Sequence, residues 1–187
     1  YYPVPEHRMS GDIDLYIPPE ELPAAKLFLR SSLGPSRSAP DNSFHHTIDG
    51  VDLDIHPSYF DLSVPIETLP PVPSPEASLL MLSAHILKHA MGPGVGLRQI
   101  CDYALASRSL EPDIDISRYK KYLRNAGLRK WNSVLSSFIK ARLGIVSSVL
   151  DSAPEMPFAA FEKIVLSGGN FGQHDAFRKR HIDSAPH

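Results

Sequence analysis

Five prolines fall within Pro65 to Pro75, and this stretch constrains the fold more than any other feature of the chain. Each proline fixes φ and removes a backbone donor, so neither a regular helix nor a central strand can run through it. The stretch separates two parts of different character. Upstream, short segments alternate with period two around one helical segment. Downstream, only helical periodicity recurs. The expectation is an α+β protein. Residues 1–64 would form a small mixed sheet with flanking helices, 65–75 an extended linker, and 76–187 a helical lobe.

In the first part, Asp12 to Ile17 alternates Ile13, Leu15 and Ile17 against Asp12, Asp14 and Tyr16, the pattern of a half-buried strand. Pro19 to Leu33 reads as a helix, with Glu20 and Glu21 in its first turn and Ala24, Leu27 and Phe28 as its buried stripe. Ser43 to Ile48 and Val51 to His56 are strands joined by Asp49-Gly50, a strong hairpin signal. Val51, Leu53 and Ile55 share one face of the second strand; Asp52, Asp54 and His56 share the other. After the prolines, Ser74 is placed to cap a helix from Glu76 to Met91. Further helices are expected over Gly96–Ser107, Ile116–Asn125, Leu128–Val146 and Glu155–Leu166. Trp131, Leu135 and Phe138 make a core stripe on the fourth.

The chain has 187 residues, 42% of them hydrophobic and 21% charged, which fits a folded globular protein rather than a disordered one. A formal net charge of -2 gives no support to a protein that coats nucleic acid through bulk charge. The single cysteine, Cys101, excludes an internal disulfide and reads as a small buried apolar residue. No apolar run approaches the roughly 20 residues of a membrane helix, and no leader is visible, so the expected setting is cytoplasmic without membrane attachment. Residue 1 is Tyr rather than Met, which reads as a chain whose start lies upstream.

The chemistry concentrates in Arg8-Met9-Ser10-Gly11-Asp12-Ile13-Asp14-Leu15. Carboxylates at i and i+2 of a strand point to one face, roughly 6.6 Å apart along the backbone. Unneutralised, two such charges about 4 Å apart repel by about 4 kcal/mol at an effective dielectric near 20, and a divalent cation removes that cost. The plain alternative is the solvent face of an edge strand. Ser10-Gly11 offers a turn with free amides near a phosphate. Asp54, mid-strand on a polar face, supplies a third carboxylate if the strands are neighbours. Two-metal phosphoryl transfer needs such a third acid. Asp52, nearer the turn, is the competing assignment.

Other groups have weaker signals. His85 and His89, at i and i+4, have zinc spacing, but Ile86 stands where a metalloprotease has Glu, so a cleft or core role is expected. Arg98 and Asp102 are either a structural pair or a phosphate-holding arginine oriented by an acid. His56 is either a partner of a metal ligand or phosphate, or an ordinary strand-end histidine. His174-Asp175 is a lone HD pair. Arg178-Lys179-Arg180 reads as a solvated tail.

Taken together, these segments resemble a known family. Arg8 to Leu15 is similar to the "R..SDIDL" signature of the DNA polymerase beta-like nucleotidyltransferase superfamily. Tyr2-Pro3, Val51-Asp52-Leu53-Asp54-Ile55-His56, His85 to His89, Gly96-Leu97-Arg98-Gln99-Ile100-Cys101-Asp102 and Gly168-Gly169-Asn170-Phe171-Gly172 resemble one branch of it, the uncharacterised nucleotidyltransferases of NTP-transferase family 5. The resemblance spans Tyr2 to about Gly172. It implies a small mixed-sheet nucleotidyltransferase core followed by a helical lobe. It also implies metal binding by Asp12 and Asp14, with Asp54 as the third catalytic carboxylate. The implied reaction transfers a nucleoside monophosphate from an NTP to an acceptor, releasing pyrophosphate. The superfamily's Gly-Ser turn, often Lys-Gly in this branch, would precede Tyr1.

The resulting expectation is a Mg²⁺-dependent nucleotidyltransferase, with Mn²⁺ as the alternative ion, acting on an NTP and an unidentified acceptor. Arg8, Ser10 and Gly11 would place phosphates. His56, His85, His89, Arg98 and Asp102 are second-rank cleft residues. The alternative is a catalytically degenerate nucleotide- or protein-binding module of the same fold. An HD-like phosphohydrolase built on His174 and Asp175 is a third reading.

Overall fold

The computed structural model describes residues 1–8, 13–38, 43–57, 73–92 and 94–168. The protein is α+β and divides into two compact units, Tyr2–Asp61 and Leu62–His187, the latter together with Tyr1.

In the first unit, β1 (Ile13–Tyr16), α1 (Leu22–Leu33), β2 (Arg37–Ser38), β3 (Phe44–Ile48) and β4 (Val51–His56) follow in order. The strands form one mixed sheet in the order β1-β4-β3-β2. β1 runs parallel to β4, and a parallel pair needs a crossover between its strands. α1 lies in that crossover. Its Leu22 joins Phe44 and Ile55 in a small core, with Ile17, Leu29 and Leu53 packed around them. Asp49 and Gly50 both have positive φ, 50° and 79°, as a two-residue type I′ hairpin turn requires. That turn pairs Ile48 with Val51, and the register then runs without a slip to His45 opposite Asp54 and Phe44 opposite Ile55.

Helix α1 differs from the sequence expectation at both its start and its face. Pro18 and Pro19 hold the chain outside the helix, so Glu20 and Glu21 precede its first turn and Glu21 is the N-cap. Leu27 and Phe28 are 71% and 67% exposed. Leu22 and Leu29, seven residues apart, define the sheet-facing side, and Ala24, Leu27 and Phe28 fall on the opposite one. The helix carries two apolar stripes, and the other one is buried. The two-residue β2 lies inside the polar stretch before β3 and has no periodic signal of its own.

In the second unit, α2 (Pro75–Met91) packs against α3 (Leu97–Ser109), α4 (Ile116–Asn125), α5 (Arg129–Leu143) and α7 (Ala159–Gly168); α6 (Ser148–Asp151) touches α3 and α5. Ser74 caps α2 by accepting from the Ala77 amide at 3.2 Å, and Pro75 occupies the first turn, where a missing N–H costs nothing. α5 stops at Leu143 rather than Val146 because Gly144 takes the left-handed conformation, φ 64°. α7 starts at Ala159, later than the periodicity suggests, after Pro154 and Pro157. The short α6 is capped by Ser147 and has too few residues for a periodic signal. Leu135 and Phe138 are buried as expected; Trp131 is half-buried and donates its indole N–H to the Ser83 carbonyl at 2.8 Å. Phe161 meets both Trp131 and Phe138 edge-on, at 5.0 and 5.2 Å between ring centres, and so ties α7 to α5. Among the described residues no helix is long and apolar enough to cross a membrane.

Candidate metal centre

The sheet sorts its side chains by face. Phe44, Leu53 and Ile55 point toward α1, while the alternating positions of β1, β3 and β4 point the other way. On that other face the register lines up Asp14 of β1, Asp54 of β4 and His45 of β3 in one row. Neighbouring strands lie about 4.8 Å apart, so Asp14 and Asp54 are adjacent carboxylates. Like charges in such positions destabilise a sheet unless something neutralises them.

Two histidines hold these carboxylates by hydrogen bonds. His56 is one register step along β4, opposite Tyr16, and its Nε2 donates to Asp14 Oδ1 at 2.9 Å. His45 Nδ1 is hydrogen-bonded to Asp54 Oδ1. Asp54 is the more enclosed acid, with a side chain 20% exposed against 60% for Asp14. Asp14, Asp54 and His56 each present one ligand atom, and those atoms all lie within 4.8 Å of one another.

The donor set fits a hard or borderline divalent cation. Two carboxylate oxygens suit Mg²⁺ or Mn²⁺, and an imidazole nitrogen favours the transition ion of the two. Two ligands bound at about 2.1 Å in adjacent octahedral positions are about 3.0 Å apart, close to the Asp14–His56 separation. The same separation is a good hydrogen bond. His56 is therefore placed either to join Asp14 on an ion or to orient it.

The structure separates the other candidates. Asp52 is held by Thr47 Oγ1 at 2.7 Å and is not in the ligand group; Asp54, rather than Asp52, stands beside Asp14. Arg8 is exposed and closes a short 3₁₀ turn, its N–H donating to the Pro5 carbonyl at 3.0 Å. Asp12, Ser10 and Gly11 lie outside the described residues, as do Gly169 to Gly172, His174, Asp175 and the basic run Arg178 to Arg180.

His85, His89, Arg98 and Asp102 belong to the helical unit. His85 is exposed and His89 half-buried, so the pair is not core; their Nε2 atoms approach to 3.0 Å across one turn of α2. Asp102 is buried and Arg98 half-buried, one turn apart on α3. Cys101 is half-buried rather than buried. Burial, and then the neighbouring Asp102, push its thiol up, which disfavours the nucleophilic thiolate.

His45 is the residue that reading the sequence for acids passes over. The Asp-Gly turn contains the signal. Once Ile48 faces Val51, counting outward by three places His45 opposite Asp54.

A family model described as an uncharacterised nucleotidyltransferase matches residues 1–144. The chain belongs to that family, and nucleotidyl transfer is the general class of function its membership supports. No curated protein and no solved structure matches the chain.

Proposed function

We propose that the protein is a divalent-metal-dependent nucleotidyltransferase, moving a nucleoside monophosphate from an NTP to an acceptor hydroxyl or similar group. The observation that carries this reading is the pairing of Asp14 with Asp54 across the parallel strands, on the sheet face that α1 leaves uncovered. A bound Mg²⁺ or Mn²⁺ pair offsets charge on the phosphates and lowers the pKa of the attacking hydroxyl. Asp14, with Asp12, holds the ion on the triphosphate side. Asp54 faces the acceptor side, where a carboxylate also serves as proton acceptor. Arg8, Ser10 and Gly11 contact the phosphates. His45 orients Asp54 and His56 orients Asp14, so that both acids present fixed oxygens.

Titration of an NTP into the protein with and without Mg²⁺ tests the first part. Asp14→Asn is expected to remove the Mg²⁺-dependent binding heat while the circular dichroism stays unchanged, because Asp14 is exposed and contributes nothing to the core. Wild-type heats in that variant would remove Asp14 from the site.

His45→Ala tests the positioning role. Loss of a partner that orients a metal-binding carboxylate typically costs about 10–100-fold in activity or metal affinity. The expected result is a fall of that size in transfer rate with a raised Mn²⁺ requirement, partly restored by Gln, which can still donate to Asp54. A thermal destabilisation alone, with transfer and metal requirement intact, would make His45 merely structural.

A further inference from the structure

The net charge of -2 conceals a strong separation of charge along the chain. Residues 116–150 hold eight of the 19 Lys and Arg and none of the 21 Asp and Glu. Two of the eight have carboxylate partners from outside the segment: Lys140 with Asp151 at 3.5 Å, and Arg142 with Glu162. Four others, Lys120, Arg124, Arg129 and Lys130, line one cleft of about 750 Å³ formed by α4, the start of α5 and the residues after α6. None of these four has an ion-pair partner among the described residues. Among the described residues no carboxylate lines the cleft, and Leu123 and Met156 give it an apolar wall.

The backbone adds to the imbalance. α5 begins at Arg129 with no side-chain cap on its first-turn amides. The positive end of a helix dipole disfavours cations, yet Arg129 and Lys130 occupy the first two positions. Four cations and an uncapped helix start around a concave, partly apolar space form an unbalanced arrangement that a bound polyanion would relieve.

We infer that this cleft binds a small molecule carrying at least two phosphate groups. The volume lies in the range of small-ligand pockets, about 300–1,000 Å³. The four exposed cations line one concavity, and the rest of the chain is net acidic, which disfavours a nucleic-acid track. The apolar wall suits the organic body of such a ligand. The inference stands apart from the carboxylate site, since every residue it uses belongs to the helical unit.

The test uses the full chain in EDTA, which silences any metal-dependent phosphate binding at Asp14 and Asp54. Inorganic pyrophosphate, orthophosphate and a 12-nucleotide single-stranded RNA are titrated in turn at low salt. Pyrophosphate is expected to saturate one site, more tightly than orthophosphate, and to weaken as salt rises. Arg124→Gln combined with Arg129→Gln should weaken it by at least about tenfold, as for loss of charge-assisted hydrogen bonds. Arg142→Gln, outside the cleft, should leave it unchanged. Both cleft side chains are exposed, so circular dichroism of the double variant should match the wild type. Absence of saturable pyrophosphate binding overturns the inference. So does wild-type affinity in the double variant, or an RNA that binds more tightly than pyrophosphate through the same two arginines.

Discussion

Asp54→Asn is expected to lower nucleotidyl transfer by about 10³-fold or more, while Mg²⁺-dependent NTP binding survives. The two acids of the pair are assigned different work, and the substitutions separate it. In the proposed function Asp14 would hold the ion that accompanies the triphosphate, so its loss would show in binding. In the same proposal Asp54 would face the acceptor, where charge develops only as the bond to the α-phosphorus forms. An interaction made mainly in the transition state appears in the rate and not in ground-state affinity. Removing a metal-supporting carboxylate there is worth several kcal/mol, and about 4 kcal/mol is a factor of 10³. Asn keeps an oxygen that can accept from His45, so the hairpin register should persist. The measurement is transfer of label from an α-labelled NTP to components of a cell extract, alongside titration of the same NTP. Transfer within tenfold of wild type in a folded Asp54→Asn protein would remove Asp54 from the reaction.

Much of the sheet that supports this assignment was legible in the sequence. Alternation marks β1 and β4, although in β1 the apolar positions Ile13 and Leu15 are 46% and 40% exposed, and Asp49-Gly50 has only one common use between two strand-like runs, which marks β3. From the turn outward the pairing is arithmetic, and it reaches both Asp54 and His45. The parallel contact of β1 with β4 was not fixed in this way. It depends on which strand the crossover through α1 returns beside, and nothing local to Asp14 encodes that. The choice of α1's buried face failed for a related reason. Leu22 and Leu29 on one side and Leu27 and Phe28 on the other are equally apolar, and only the position of the sheet decides between them. The cationic cleft was hidden differently. Whole-chain charge sums to nearly nothing, and the acid-free run from 116 to 150 emerges only when charge is read by segment.

Alkaline pH should unfold this protein through two tyrosines of the helical unit. Tyr103 and Tyr119 are fully buried, and their hydroxyls form a triangle with Asn132 Oδ1: 2.9 Å to each other, and 2.8 and 2.9 Å to the amide oxygen. Two hydroxyl hydrogens serve these three contacts. Burial pushes Tyr103 up, partly countered by its bond to Tyr119. Burial and then the proximity of Tyr103 push Tyr119 up as well. In the unfolded chain both ionise near pH 10. Below that pH their contribution to stability is fully present. Above it the unfolded state binds fewer protons than the folded one, so stability falls as pH rises toward the folded-state values. The loss is about 1.4 kcal/mol per pH unit for each tyrosine. From pH 10 to 12 the pair therefore removes about 5 kcal/mol, a large part of a typical domain's 5–15 kcal/mol. Urea midpoints at pH 8, 10 and 11 read this directly. Tyr103→Phe should halve the extra alkaline loss, because it removes one titrating group and leaves Tyr119 bonded to Asn132. An identical pH slope in the variant and the wild type would assign the alkaline loss to other groups and leave the tyrosine pair without this role.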